Sequence, residues 1–295
     1  MNILLTGKDG QLGAELRRAL APLGEVTAAG RADCDLADAD AVRALVRRAR
    51  PDVVVNAAAY TAVDRAESER DLAWAVNAAA PGVLGEEAAR LGALVVHYST
   101  DYVFDGAKEG AYTEDDLPAP LNAYGAGKLA GERALAAATP RHLILRTSWV
   151  LGVHGGNFAK TMLRLARERD SLRVVADQYG APTPAALLAD VTAHLVRQYA
   201  REGGEHFPYG TYHLTSSGVT SWHGYARHVL AAALAAGHAL ATTPDRVLPV
   251  ATADYPAPAR RPANSRLDTT RLRQTFGFVL PSWKDGVDGV LAHLL

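Results

Sequence analysis

Tyr124 and Lys128 stand four residues apart in the run Tyr124-Gly125-Ala126-Gly127-Lys128. On a helix, positions i and i+4 share a face, so a phenol and an ammonium project into one site. A phenol ordinarily ionises near pH ~10, and a neighbouring cation favours the phenolate. Such a tyrosine can give its proton to a carbonyl oxygen while a hydride reaches the carbon. The spacing alone is common. Its weight comes from the preceding polar strand end, Tyr98-Ser99-Thr100-Asp101, because ligands of open α/β sheets bind beyond the carboxyl ends of the strands. Thr100 is expected to bond the substrate oxygen and to position Tyr124. Ser99 is the second candidate, since alternation along a strand turns only one of two successive side chains toward the crevice.

A second constellation precedes it. Gly7-Lys8-Asp9-Gly10-Gln11-Leu12-Gly13 follows the apolar run Asn2–Thr6 and opens an amphipathic stretch. In such a turn the first glycine (Gly7) permits the tight bend, the second (Gly10) lets the backbone approach a pyrophosphate, and the third (Gly13) allows close helix–strand packing. Free N–H groups at the helix start, with its dipole, then hold the negative charge. After the next strand stands Gly30-Arg31, where a carboxylate would favour NAD. Arginine without a competing acid suits a 2′-phosphate, so NADPH is expected. Asp33 or Asp35 could reach the ribose or adenine, which keeps NADH in view.

The elements that must carry these residues alternate in type. Strands are expected over Asn2–Thr6, Glu25–Ala29, Asp52–Asn56, Ala93–Tyr98 and His142–Arg146, and helices over Gln11–Leu20, Ala39–Arg48 and Ala66–Leu91, with Pro81 a candidate break. The runs Val53-Val54-Val55 and Leu94-Val95-Val96 are apolar throughout, as in strands buried on both faces. This is an α/β pattern, a Rossmann-type doubly wound parallel sheet. Residues 1–150 are expected to form the NAD(P)-binding domain. Residues 151–295 form mainly a smaller C-terminal substrate-binding lobe, interleaved with the first, and the sheet also receives later segments. In that half a strand is expected near Thr211–Leu214 and a helix over Ser221–Ala236 with Ser221 as N-cap. The prolines from Pro249 to Pro262 are read as a loop.

Composition narrows the class. Across 295 residues the formal net charge is −1, with no basic face for a nucleic acid. Arg47, Arg48 and Arg50 read as a solvated helix end. A single cysteine, Cys34, rules out an intramolecular disulfide and a structural zinc site. No apolar stretch reaches the length of a membrane span. A cytoplasmic enzyme with neither nucleic-acid nor membrane partner is expected.

Gly7–Gly13, Asn56-Ala57-Ala58-Ala59, His97–Phe104 and Tyr124–Lys128 together resemble the extended short-chain dehydrogenase/reductases. Arg146–Val150, Asn157–Leu163, Asp177–Thr183 and Pro258–Ser265 look like one branch of them, the dTDP-4-dehydrorhamnose reductases, and the similarity spans nearly the whole chain. The resemblance implies hydride transfer from NADPH to C4 of dTDP-4-dehydro-β-L-rhamnose, so the small-molecule partner is a dTDP-sugar. It implies Tyr124 as proton donor, Lys128 also on the nicotinamide ribose, and Thr100 in place of the usual serine. Gly10, Gln11 and Leu12 would meet the pyrophosphate, and Asp35 and Leu36 the adenine. Ala57, Ala59, Tyr60, Thr61 and Tyr98 would line the cofactor crevice. Asp101 and Trp149 would contact the sugar, with Val63 and Asp64 nearby. Arg260 and Arg261 lie in a proline-stiffened stretch suited to a diphosphate, with Asn264 beyond it as a further substrate contact.

Departures from that pattern are few. Gly30 stands where many relatives carry an acid, and Tyr60 replaces a frequent histidine. Some members are thought to dimerise through Mg²⁺ held by helix carboxylates. Glu15 could serve, but Ala186 falls where a partner acid is expected, so no metal ligand is assigned and a metal-bridged dimer is not expected. Monomer and homodimer both stay open. The alternatives are another nucleotide-sugar enzyme of this fold, such as a different 4-ketoreductase, or a non-catalytic NADP-binding regulatory subunit. The intact Thr100, Tyr124 and Lys128 set favours catalysis.

Overall fold

In a computed structural model describing residues 1–295, the first half alternates as its apolar pattern requires. It runs β1 (Asn2–Thr6), α1 (Gln11–Leu20), β2 (Glu25–Ala29), α2 (Ala39–Ala49), β3 (Val53–Asn56), α3 (Val63–Ala66), α4 (Arg70–Trp74), α5 (Ala80–Leu91), β4 (Leu94–Thr100), α6 (Ala123–Ala138) and β5 (His142–Thr147). The second half holds β6 (Val150–Leu151), α7 (Phe158–Glu168), β7 (Leu172–Val175), β8 (Tyr179–Gly180), β9 (Thr183–Pro184), α8 (Ala185–Glu202), β10 (Gly210–His213), β11 (Thr220–Ser221), α9 (Trp222–Ala235), β12 (Val247–Val250), α10 (Thr270–Phe276) and α11 (Trp283–Leu291).

Six strands form one parallel sheet in the order β10-β5-β4-β3-β1-β2. Because successive side chains point to opposite faces, each strand feeds two cores. Ile3, Leu5, Val53, Val55, Leu94 and Val96 pack under α1 and α8. Leu4, Val54, Val95 and Ile144 face the other way, toward α2, α5 and the Leu135 side of α6. The later segments β10 and α8 therefore complete the sheet and one of its layers. A separate apolar cluster built from α7, α9 and α11 underlies the C-terminal lobe. No helix is long and apolar enough to cross a membrane.

Two sequence expectations need correction. The helix expected over Ala66–Leu91 does not break at Pro81. The gap lies earlier, between α3 and α4, and the chain then continues to Leu91 through one wide π turn at Ala75–Ala79. Pro81 sits in the first turn of α5, where no helical N–H is required of it. The stretch Pro249–Pro262 is not wholly loop either. Pro249 and Val250 end β12, which pairs in parallel with β7; proline is tolerated on such a two-strand edge.

The helix carrying Tyr124 and Lys128 is tied to the sheet by a buried ion pair. Arg146 on β5 donates from Nε and Nη2 to the two carboxylate oxygens of Glu132 on α6, at 2.9 and 2.7 Å. Both side chains are buried, and the Arg146 guanidinium also lies 5.2 Å from the Phe104 ring centre. Removing one partner strands a buried charge. Arg146→Met should lower the unfolding free energy by about 3–5 kcal/mol, measured by urea denaturation. A loss within experimental error would mean that Glu132 is solvated or neutral.

Candidate active site

The cavity at the carboxyl end of the sheet has a volume of about 790 Å³. Its floor is the turn after β1. Gly7 adopts φ +76°, in the left-handed region, and a Cβ there would lie 2.6 Å from the Ala58 backbone nitrogen. Gly10 is the N-cap of α1 and no side chain caps the helix. The first N–H groups of α1 thus have no intrahelical partner and face the cavity, the arrangement an anion requires. Gly7, Gly10, Gln11 and Leu12 line this wall, whereas Gly13 lies behind it, packed on the Gly7 carbonyl.

Farther along, Arg31, Asp35 and Leu36 line the end beside β2, with the buried Cys34. Arg31 is exposed and its nearest acid, Asp35, is 4.0 Å away. A Cβ on Gly30 would lie 2.0 Å from Asp9 Oδ2, so a side chain at that position would have to displace the exposed Asp9 carboxylate. Asp33 is held by Lys8 at 2.5 Å and by the Gly30 N–H. Opposite, Ala57, Ala59, Tyr60, Thr61 and Val63 form the wall after β3. The wide turn of Ala75–Ala79 serves this wall: Asn77 within it accepts from the Tyr60 N–H and donates to the Tyr60 carbonyl, both at 2.9 Å.

The polar wall comes from β4 and α6. Asn122 caps α6, its Oδ1 accepting from the Gly125 N–H at 2.7 Å, which places Tyr124 in the first turn. Gly125 permits the approach, because a Cβ there would lie 2.2 Å from the Tyr102 carbonyl oxygen. Burial pushes the Tyr124 phenol up to about 12, opposed by a hydrogen bond with Thr100. Lys128 is also buried, which lowers its ammonium to about 8, opposed by Glu132. Lys128 Nζ donates to the Tyr98 carbonyl at 2.6 Å and lies 3.1 Å from His97 Nε2. The lowering of the phenol expected from Lys128 does not appear, and burial sets its direction. Tyr124 is a neutral acid here, which is the form a proton donor needs.

Ser99 and Thr100 both border the cavity, but the Ser99 hydroxyl is buried. Thr100 is the last residue of β4, and its Oγ1 caps the following turn by accepting from the Tyr102 N–H at 3.1 Å. Its hydroxyl donates to Asp101 Oδ1 at 3.0 Å. Ser99 Oγ is buried without any protein partner.

Burial raises the Asp101 carboxyl to about 7, opposed by hydrogen bonds with Ser265 and Thr100. Between the ordinary carboxyl value of 3.8 and that raised value, the folded chain holds a proton that the unfolded chain has released. Stability therefore falls as pH rises through this window. Asp101→Asn should gain on the order of 2–4 kcal/mol over the parent near pH 8 and little near pH 4. Denaturant midpoints at the two pH values measure this, and a parent that is the more stable at pH 8 would contradict it.

Trp149 also lines the cavity and is the second non-glycine residue with positive φ (47°) beside Arg50. Its indole stacks on Trp222 at a centroid separation of 3.7 Å and 16°. Trp222, the first residue of α9, lines the cavity and was not singled out from the sequence. Its signal was only the Ser221 cap beside an aromatic residue. Gly13, Asp33, Asp64, Arg260, Arg261 and Asn264 are not on the cavity wall. Gly13 supports the turn from behind. Asp64 pairs with Arg261 at 2.7 Å. Arg260 is exposed, and Asn264 is buried, donating to the Lys108 and Gly110 carbonyls at 2.7 Å. Glu15, considered for a metal, bonds Arg18 at 3.3 Å.

An anion-binding helix start facing a phenol, a hydroxyl and an ammonium, on a parallel sheet of this order, defines the class: a Rossmann-fold reductase of the short-chain dehydrogenase type. Comparison with known proteins narrows it. The family model described as RmlD substrate binding domain matches residues 1–295, and the chain belongs to that family. It is 49% identical to the dTDP-4-dehydrorhamnose reductase of Burkholderia thailandensis, over 100% of this chain and 99% of the relative. It is 50% identical to that of Salmonella typhimurium, over 100% and 98%. Among solved structures, a dTDP-4-dehydrorhamnose reductase from Clostridium acetobutylicum superposes with a TM-score of 0.90 at 38% identity, covering 100% and 99% of the two chains. One from Bacillus anthracis, in complex with NADP, gives 0.88 at 37% identity, covering 98% of each.

Proposed function

We propose that this protein reduces the C4 keto group of dTDP-4-dehydro-β-L-rhamnose to give dTDP-β-L-rhamnose, using NADPH. The observation that carries the reading is the meeting of Tyr124, Thr100 and Lys128 opposite the Gly7–Gly13 turn in one cavity, in a chain half identical over its full length to reductases of that name.

Bound NADPH supplies the hydride. The chain's residues do the rest. The start of α1 holds the pyrophosphate through free N–H groups, and Arg31 serves the 2′-phosphate. Position 30 bears no acid to repel that phosphate, which supports NADPH over NADH. Tyr124, neutral in its buried setting, gives its phenolic proton to the C4 oxygen. Thr100 holds that oxygen and the phenol in line. Lys128, two partners already engaged, keeps a third N–H for the nicotinamide ribose and steadies the phenolate through its charge. Asp101 and Trp149 meet the sugar. Asp64, Arg260 and Asn264 belong to the shell that shapes the substrate side. Residues 1–150 hold mainly the cofactor and 151–295 mainly the sugar nucleotide. Neither Mg²⁺ nor a second copy of the chain enters this mechanism. On this reading the reaction belongs in the cytoplasm.

The test is NADPH oxidation by the purified protein with dTDP-4-dehydrorhamnose generated in situ, with NADH in parallel. A dTDP-rhamnose product, formed faster with NADPH, is expected. Tight NADPH binding without turnover would overturn the reading.

A further inference from the structure

Three residues at the carboxyl end of the sheet break its apolar pattern on one face. Leu4, Val54 and Val95 are register partners across β1, β3 and β4, and all three belong to the core under α2 and α5. Two residues farther along, the same row reads Thr6, Asn56 and His97. All are buried to within 2% of full burial, where polar side chains are costly unless each is satisfied. They satisfy one another: Thr6 Oγ1 lies 2.6 Å from Asn56 Oδ1, Asn56 Nδ2 lies 3.0 Å from His97 Nδ1, and His97 Nε2 lies 3.1 Å from Lys128 Nζ. The row ends on the ammonium of the candidate site.

Lys128 forms no salt bridge with any carboxylate. His97 and the Tyr98 carbonyl are its hydrogen-bond partners. The other groups facing it are Tyr124 and Glu132, one turn to either side on α6, and the Glu132 charge is taken up by Arg146 on β5. A buried ammonium in this setting depends on its neutral acceptors.

We infer that Thr6, Asn56 and His97 form a positioning relay for Lys128, in which His97 accepts a hydrogen bond from the ammonium at Nε2 while Asn56 keeps the imidazole proton on Nδ1. The chemistry of the row demands this direction. An ammonium only donates, so Nε2 must be unprotonated and Nδ1 must carry the proton. Nδ1–H then needs an acceptor, which Asn56 offers by a half-turn of its amide, Oδ1 toward His97 and Nδ2 toward the Thr6 hydroxyl. The reverse direction, with Nδ2 donating to Nδ1, sets Nε2–H against Nζ and suits only a neutral amine. Burial, together with the Lys128 charge, holds the His97 imidazole well below its usual range, so it stays an acceptor. His97 touches neither cofactor nor substrate; it acts through Lys128.

The kinetic part of the test rests on the reductase reading, and the other parts do not. Histidine ¹⁵N spectra of the full-length protein near neutral pH should show His97 neutral with its proton on Nδ1, assigned by its loss in His97→Gln. A proton on Nε2 would overturn the relay. Removing an acceptor from a buried ammonium should weaken NADPH binding in His97→Leu by roughly ten- to a hundredfold. In the same variant the alkaline limb of kcat/KM should move about one pH unit or more to the acid side. His97→Gln, whose amide oxygen can still accept, should return the limb toward the parent position. A folded His97→Leu protein with an unmoved limb and unchanged NADPH affinity would sink the inference. If the parent binds NADPH but turns over no sugar, the reductase reading fails, while the spectra and binding titrations still decide the relay.

Discussion

Tyr124→Phe should reduce kcat by about 10²- to 10⁴-fold while leaving NADPH affinity essentially unchanged. The variant keeps the ring, and with it the edge contact to Tyr102 at 5.9 Å and 81°, so the wall of the cavity stays in place. It removes the one acid that stands opposite the glycine turn, within reach of Thr100, and that is fully protonated at neutral pH. Burial lifts the phenol to about 12, so the loss should be flat across neutral pH and should not be relieved by modest acidification. Single-turnover reduction followed at the NADPH absorbance separates the chemical step from release. A variant retaining most of its kcat would move the proton-donor role elsewhere, with Asp101 the next acid on the wall.

Gly13→Ala should damage cofactor binding and stability together. A Cβ at Gly13 would lie 1.9 Å from the Gly7 carbonyl oxygen, 2.7 Å from its carbon and 2.9 Å from Lys8 Cα. Every obstacle is backbone, so no side chain can rotate away. Either α1 shifts outward or the turn after β1 gives way, and both displace the free N–H groups at the start of α1. Overpacking of this kind costs roughly 1–3 kcal/mol or more, and a displaced turn should raise the NADPH dissociation constant by at least about tenfold, or 1.4 kcal/mol. The contrast is Gly289 on α11, where an added Cβ meets nothing within 4 Å. Gly289→Ala should be neutral or stabilising by about 0.5–1 kcal/mol. Thermal unfolding and NADPH titration of the two variants, side by side, measure the difference. Equal behaviour would mean that the turn is softer than its geometry implies.

Much of this was legible in the residues because the underlying rules are local. Strands buried on both faces read as Val53-Val54-Val55 or Leu94-Val95-Val96, and a Tyr and Lys four apart need only a helix to share a face. The failures came where geometry is set from a distance. Pro81 looked like a break, but a wide turn upstream absorbed it. Arg260 and Asn264 lie off the cavity wall, one exposed and the other a buried brace for the Lys108 and Gly110 carbonyls, a placement that no local pattern encodes. Trp222 joins Trp149 only through the packing of α9, which no spacing along the chain encodes. The polar row Thr6, Asn56 and His97 lies in three strands, and only the sheet register makes it one object.

The position of β10 bears on how the molecule is made. β5, with its Leu143 and Leu145, pairs with β4 on one side and with β10 on the other, yet β10 follows β5 by more than sixty residues of chain. While the polypeptide emerges from the ribosome, β5 is an open, apolar edge, a template for mispairing with another nascent chain. The α8 layer over α1 is also missing until that later stretch has been synthesised. A nascent chain halted before Gly210 would carry the nucleotide turn and the Tyr124–Lys128 pair on an unfinished sheet. Folding of the first half is therefore completed only when the second has been delivered, and a holdase acting on the ribosome-bound intermediate would have the edge of β5 as its natural place to bind.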